Sequence, residues 1–151
     1  MNSREELPIP IRHSWPLWEQ SRHFELGHIL SSAVTDLIQP SEVGRLGLHH
    51  AGCWECDLSD NSLIWSGGVF DIFGLPRGIA VSRTEAVSFY CADSYVKMER
   101  LRSYAIRHKR GFTLDVDIRT ASREPRRMRL IAAPVCDGNR VTRLTGLKLI
   151  I

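Results

Sequence analysis

Between Phe112 and Arg119 four apolar residues, Phe112, Leu114, Val116 and Ile118, alternate strictly with four polar ones. A period of two over eight residues describes a strand with one dry face and one wet face, and such a strand needs neighbours on its edges and a layer over its apolar side. The next segment supplies one neighbour, because Met128, Leu130 and Ala132 alternate with Arg127, Arg129 and Ile131. Asp137-Gly138-Asn139 then gives the turn into a last strand, on which Leu147, Leu149 and Ile151 again face one way.

Upstream, a first strand begins near Gly52 and a second lies around Leu63-Ile64-Trp65, with the hairpin-forming Leu58-Ser59-Asp60-Asn61-Ser62 between them. Ser66 is placed to cap a short helix from Gly67 to Phe73, which Gly74 closes. Residues 83–90 suit another short helix. A longer one runs from about Ser94 to Arg110, capped by Asp93 or Ser94 and ended by Gly111, with Tyr95, Met98, Leu101, Ala105 and His108 on one face. The expected class is α+β, a mainly antiparallel five-stranded sheet with helices on one face.

Residues 1–16 hold Pro8, Pro10 and Pro16 and read as an extended or mobile arm. After it, Phe24, Leu26, Ile29, Leu30, Ala33, Val34, Leu37 and Ile38 mark an amphipathic helix that stops before Pro40. The stripe packs either on the domain's own sheet or on the same helix of a second copy. The expected organisation is an arm and helix over 1–47 and a domain over 48–151.

A chain of 151 residues is the size of one ordinary domain. Its apolar fraction of 43% and charged fraction of 25% are those of a globular protein, and no apolar run approaches the ~20 residues that span a bilayer. The N-terminus lacks the basic start and apolar block of a secretory signal, so a cytoplasmic location and reduced thiols at Cys53, Cys56, Cys91 and Cys136 are expected. Charge is split: residues 1–76 hold 4 Lys/Arg against 10 Asp/Glu, and residues 77–151 hold 16 against 7. Such a dipole favours association with a charged partner or a second copy.

The ordered set Gly52, Trp54, Glu55, Asp57, then Trp65-Ser66, then Phe70, Phe73 and Gly74-Leu75, with Asp93 before the long helix and three strands after it, resembles a PAS sensor domain. The resemblance covers residues 48–151. Two features depart from the family pattern: Cys91-Ala92 stands where a His-Pro pair is common, and the last strand lacks the Asp-Ile-Thr exit toward an effector. Because the sequence stops at the last strand, a stand-alone module without its own output domain is expected, and the resemblance implies a core that in different relatives holds haem, flavin, a metabolite or nothing beyond a partner protein.

Each candidate site has a plainer alternative. Cys53 and Cys56, with His49 and His50 upstream, form a Cys-x-x-Cys, but on a strand positions i and i+3 point to opposite faces about 10 Å apart, so no metal or disulfide is expected. Cys91 lies near the family's ligand pocket, yet its surroundings differ from the Asn-Cys-Arg-Phe-Leu-Gln motif of flavin photosensors, and a flavin adduct is not expected. Haem is a minor option, with His108 as its axial ligand. Arg119, Arg123, Arg126, Arg127, Arg129, Arg140 and Arg143 gather positive charge without an aromatic platform, which suits a solvated strand face better than nucleic acid.

No catalytic constellation accompanies these residues. The reading placed first is a non-enzymatic PAS module that regulates a separate signalling or transcription protein, as a homodimer or in trans, through Phe24, Leu26, Ile29, Leu30, Val34, Leu37 and Ile38. The alternative is a small-molecule sensor whose pocket uses Trp54, Phe73, Tyr90, Cys91, Met98, Leu101 and Leu114. A small enzyme comes third.

Overall fold

The computed structural model describes residues 13–28, the side chains of residues 25–28 excepted, and residues 51–151. In chain order the elements are β1 (Ser14–Pro16), a 3₁₀ turn (Leu17–Glu19), α1 (Gln20–His28), β2 (Ala51–Asp57), β3 (Ser62–Trp65), α2 (Gly67–Phe73), α3 (Arg83–Val87), α4 (Ala92–His108), β4 (Arg110–Arg119), β5 (Pro125–Asp137) and β6 (Arg140–Ile150). The strands form one antiparallel sheet in the order β1-β4-β5-β6-β2-β3. The five expected strands are present, and Ser14–Pro16 of the supposed arm adds a sixth on the outer edge of β4.

Helices α2 to α4 cover one face of the sheet. Beneath them Phe112, Leu114, Val116 and Ile118 of β4, Met128, Leu130 and Ala132 of β5, and Leu101 and Ala105 of α4 form the main core. The opposite face is also partly apolar: Ala51, Ile131, Ala133, Leu147 and Leu149 pack under Trp15, Leu17 and Phe24. Leu147 and Leu149 do face one way, but that way is this second face, so β5 and β6 are covered on both sides. Ile131, grouped with Arg127 and Arg129 by its phase, is buried for the same reason.

Local chemistry moved several boundaries. Helix α4 begins at Ala92 behind Cys91, two residues before the expected cap, because the Ser94 hydroxyl accepts the Asp117 N–H of β4 at 2.9 Å instead of capping its own helix. Its end falls at Lys109, in the left-handed region at φ 55°, and Gly111 is already inside β4. Glycine is needed there for another reason: a Cβ at Gly111 would lie 2.2 Å from the Trp15 indole that crosses it. Ser66 precedes α2 as expected, but its hydroxyl accepts the Cys53 N–H at 2.9 Å and ties helix to strand. Ser82 caps α3 by accepting the Glu85 N–H at 3.1 Å.

Phe24 is half-buried against the second face, its ring 6.3 Å from and nearly perpendicular to that of Trp15. Of the other stripe residues, Ile29, Leu30, Val34, Leu37 and Ile38, with the side chain of Leu26, lie outside the described residues. Among the described residues no helix is long and apolar enough to cross a membrane.

Candidate functional site

The register of β2, β5 and β6 brings the site together. Trp54 pairs with Gly146, and Gly52 and Leu130 flank Lys148, so Gly146 and Lys148 point from the same strand toward the helices. Gly146 has no room for a side chain: a Cβ would sit 1.8 Å from the Ile131 carbonyl oxygen and 2.9 Å from Trp54 Nε1. The indole of Trp54 fills that space and lies beside Lys148.

Lys148 is 6% exposed, a rare state for an ammonium group. Its Nζ donates to the Tyr90 hydroxyl at 3.2 Å and sits within an aromatic cage, with centroids of Phe73 at 5.0 Å, Trp54 at 5.5 Å, Tyr90 at 5.5 Å and Trp65 at 5.8 Å. Trp65 stacks on Phe73 at 5.1 Å and meets Phe70 edge-on, which fixes the cage. Among the described residues Lys148 is in no ion pair. Burial, reinforced by the nearby Arg83 charge and opposed by Cys56, lowers its pKa to about 7. Burial also raises the Tyr90 phenol above its ordinary range, so it remains a neutral hydroxyl.

Tyr90 is held by its backbone. Its segment clamps to the end of β4 through Cys91 N–H to Asp117 O at 2.9 Å and Arg119 N–H to Phe89 O at 2.8 Å. Trp54 Nε1 is buried with no hydrogen-bond partner among the described residues. An orphaned buried donor costs roughly 1–3 kcal/mol, which makes this indole a place where an acceptor would be welcome.

A cavity of about 50 Å³ opens between these groups, lined by Trp54, Cys56, Leu63, Trp65, Ala86, Val87, Tyr90, Met98, Phe112, Leu130, Leu144 and Lys148, with Arg83 and Arg102 also on its wall. Arg83 is held by Glu99 of α4, and Arg102 donates to Asn61 Oδ1 at 3.1 Å. Among the described residues no lining residue is acidic. The interior presents donors and cations to whatever occupies it.

Of the residues expected in a pocket, Trp54, Tyr90 and Met98 line the cavity and Phe73 closes the cage. Leu101 and Leu114 are buried in the same core away from the cavity wall, and Cys91 is half-buried with its N–H tied to β4. Sequence reasoning missed Lys148, Arg83, Arg102 and Cys56. The available signal was a lysine inside the otherwise uncharged run Leu144–Ile151. His108, the haem candidate, is exposed and packs on Tyr104 with centroids 4.4 Å apart, so it does not reach this cavity. Cys53 is exposed and Cys56 buried, the opposite orientation that strand geometry requires.

The arginine-rich strand face is largely matched by carboxylates. Arg129 grips Asp115 with two hydrogen bonds at 2.8 and 3.1 Å, Arg127 meets Asp117 at 2.8 Å, and Arg143 meets Glu55 at 2.8 Å. Arg126 donates to the Asp71 and Ile72 carbonyls at 2.9 and 2.8 Å at the end of α2.

No family model matches the sequence, and no curated protein matches it. Solved structures do match the fold. An RNA-binding Light-Oxygen-Voltage receptor is similar with a TM-score of 0.59 at 16% identity, over 67% of this chain and 29% of that one. The N-terminal domain of a diguanylate cyclase with a PAS/PAC sensor from Marinobacter aquaeolei gives 0.59 at 13% identity, over 65% of this chain and 92% of that domain. A sensory box histidine kinase/response regulator from Burkholderia thailandensis gives 0.59 at 15% identity, over 75% and 85%. The chain has the PAS fold, built on an antiparallel sheet with helices over the cavity-bearing face.

Proposed function

We propose that this chain is a ligand-sensing PAS module whose small ligand carries a hydrogen-bond acceptor and binds between β6 and helices α3 and α4. The observation that carries the reading is Lys148, a buried amine facing a cavity with a hydroxyl, an indole N–H and two guanidiniums around it and, among the described residues, neither a partner for that N–H nor a carboxylate on the wall. An interior that served packing alone would be more stable with an apolar residue there. A site that waits for an acceptor tolerates the cost because the ligand recovers it.

Native mass spectrometry of the protein as purified, followed by the same spectrum for Lys148→Met, tests this. The expected result is a small added mass that the variant lacks. Bare subunits in both, with no stabilisation of the wild-type chain by any small acid or neutral acceptor, would overturn it.

For the output surface we propose the N-terminal segment. Trp18 is 81% exposed beside α1, and the sequence continues the stripe through Leu26, Ile29, Leu30, Val34, Leu37 and Ile38. The occupant is a second copy or a separate signalling protein. Joint Leu30→Asp and Leu37→Asp substitution is expected to abolish association while the core stays folded; unchanged association would remove the segment from this role.

A further inference from the structure

Resting on the ligand-sensing reading, we propose that Lys148 binds carbon dioxide reversibly as a carbamate, which makes the cavity a site for an inorganic carbon signal. Four observations converge on that ligand. The amine is buried and faces the cavity directly. The cavity, about 50 Å³, has room for a guest of a few atoms, since the smallest space that holds one water is about 10–15 Å³. Trp54 Nε1–H is buried and unpartnered among the described residues, and the Tyr90 hydroxyl already touches the amine at 3.2 Å, so two residues that line the cavity carry neutral donors for new oxygens. Arg83 and Arg102 line the wall, with no acidic residue among the described lining groups.

The step is balanced without an added oxidant or reductant. The lone pair of the neutral amine attacks the carbon of carbon dioxide, a nitrogen–carbon bond forms, and one carbon–oxygen π pair moves onto oxygen. The nitrogen then releases one proton to solvent, leaving Lys–NH–COO⁻. A neutral amine thereby becomes a buried anion that the nearby Arg83 charge attracts, where the same charge disfavours the protonated amine; starting from the protonated amine, the same product forms with release of two protons. An amine with a pKa near 7 is substantially unprotonated at neutral pH, as the attack requires.

The charged and titratable groups around Lys148 are Arg83 on α3, Glu99 and Arg102 on α4, Cys56 on β2 and Tyr90. Glu99 is engaged with Arg83 and leaves the carbamate oxygens to the donors. A small aldehyde would react with the same amine, but its imine loses the oxygen as water and leaves Trp54 and the guanidiniums without an acceptor.

The chain contains three lysines, and Lys97 and Lys109 are exposed, so they serve as internal controls. The full chain is equilibrated with ¹³C-labelled bicarbonate and carbon dioxide near neutral pH. It is then treated with a trialkyloxonium salt that esterifies carbamates, digested and read by mass spectrometry. The expected result is a labelled alkoxycarbonyl group on Lys148, absent from Lys97 and Lys109 and lost in Lys148→Met. Trp54→Phe, which keeps the ring and removes the N–H, lowers trapping at subsaturating carbon dioxide about tenfold, the effect of one hydrogen bond to a charged group; if that variant does not fold, Tyr90→Phe tests the other donor.

Equal label on all three lysines, or none on Lys148, overturns the carbamate. If Lys148 stays unlabelled while a small acid or bicarbonate protects the protein against heating, the carbamate fails and the ligand-sensing reading stands. If neither labelling nor protection occurs, both fail.

Discussion

Replacing Lys148 with Met removes a cost that the fold carries at and below neutral pH. In the unfolded chain the amine titrates near 10.4, and in the fold near 7, so between those values the unfolded state binds more protons and stability rises with pH. Below about pH 7 both states are protonated and the full cost is present; above about pH 10.5 it has gone. Lys148→Met is therefore expected to be more stable than wild type by roughly 1–4 kcal/mol at pH 6, with the advantage shrinking as pH rises. Denaturant titrations of both proteins at pH 6 and pH 9.5 check this, and a pH-independent difference would contradict it. Gly146→Ala works in the other direction. Its Cβ meets the Ile131 carbonyl at 1.8 Å and Trp54 Nε1 at 2.9 Å, so strand separation or ejection of the indole is forced. A loss of roughly 3 kcal/mol, with a red shift of tryptophan emission, is expected.

At the scale of elements, β4 was legible and β6 was not, for one physical reason. On β4, past Thr113 under Trp15, the polar residues Asp115, Asp117 and Arg119 face water or pair with arginines, so alternation there reports burial directly. On β6 both faces are covered. Leu147 and Leu149 lie under Trp15 and Phe24, and the polar-looking phase, Gly146 and Lys148, is the one that faces the cavity. Alternation assigns such a lysine to solvent because the pattern holds no information about a second layer. The cover on that layer comes from residues near the N-terminus, whose pairing with β4 is non-local and leaves no periodic mark. Trp15 illustrates it: the indole crosses Gly111 and donates to Thr113 Oγ1 at 3.0 Å, joining positions nearly a hundred residues apart. Trp15→Ala is expected to destabilise the domain by about 3 kcal/mol and release β1, read as faster amide exchange along β4. Unaltered exchange on β4 would show that the edge strand contributes little.

Across the whole molecule, β6 connects the two surfaces on which the proposed function rests. Lys148 looks toward the cavity while its neighbours Leu147 and Leu149 carry the face on which α1 lies. In the proposed reading, a ligand that alters the charge beside Lys148 would act on the same strand that supports the N-terminal segment. The fold class was readable from the order of strands and helices, and Trp54, Tyr90 and Met98 were placed near a pocket by family resemblance. The chemistry of the pocket was not, because Lys148, Arg83 and Arg102 come from three elements that only the folded register brings together. If ligand and association are coupled through β6, Lys148→Met is expected to abolish any ligand dependence of self-association while leaving its basal level, a difference that analytical ultracentrifugation measures. The most direct measurement of the central claim is the ¹⁵N–¹H indole signal of Trp54, assigned with Trp54→Phe and followed while carbon dioxide, bicarbonate and small acids are titrated into the full chain. A saturable downfield shift of that one signal, absent in Lys148→Met, is predicted; a Trp54 signal that never moves, or that moves only as the exposed Trp18 signal does, would contradict a ligand site at this cavity.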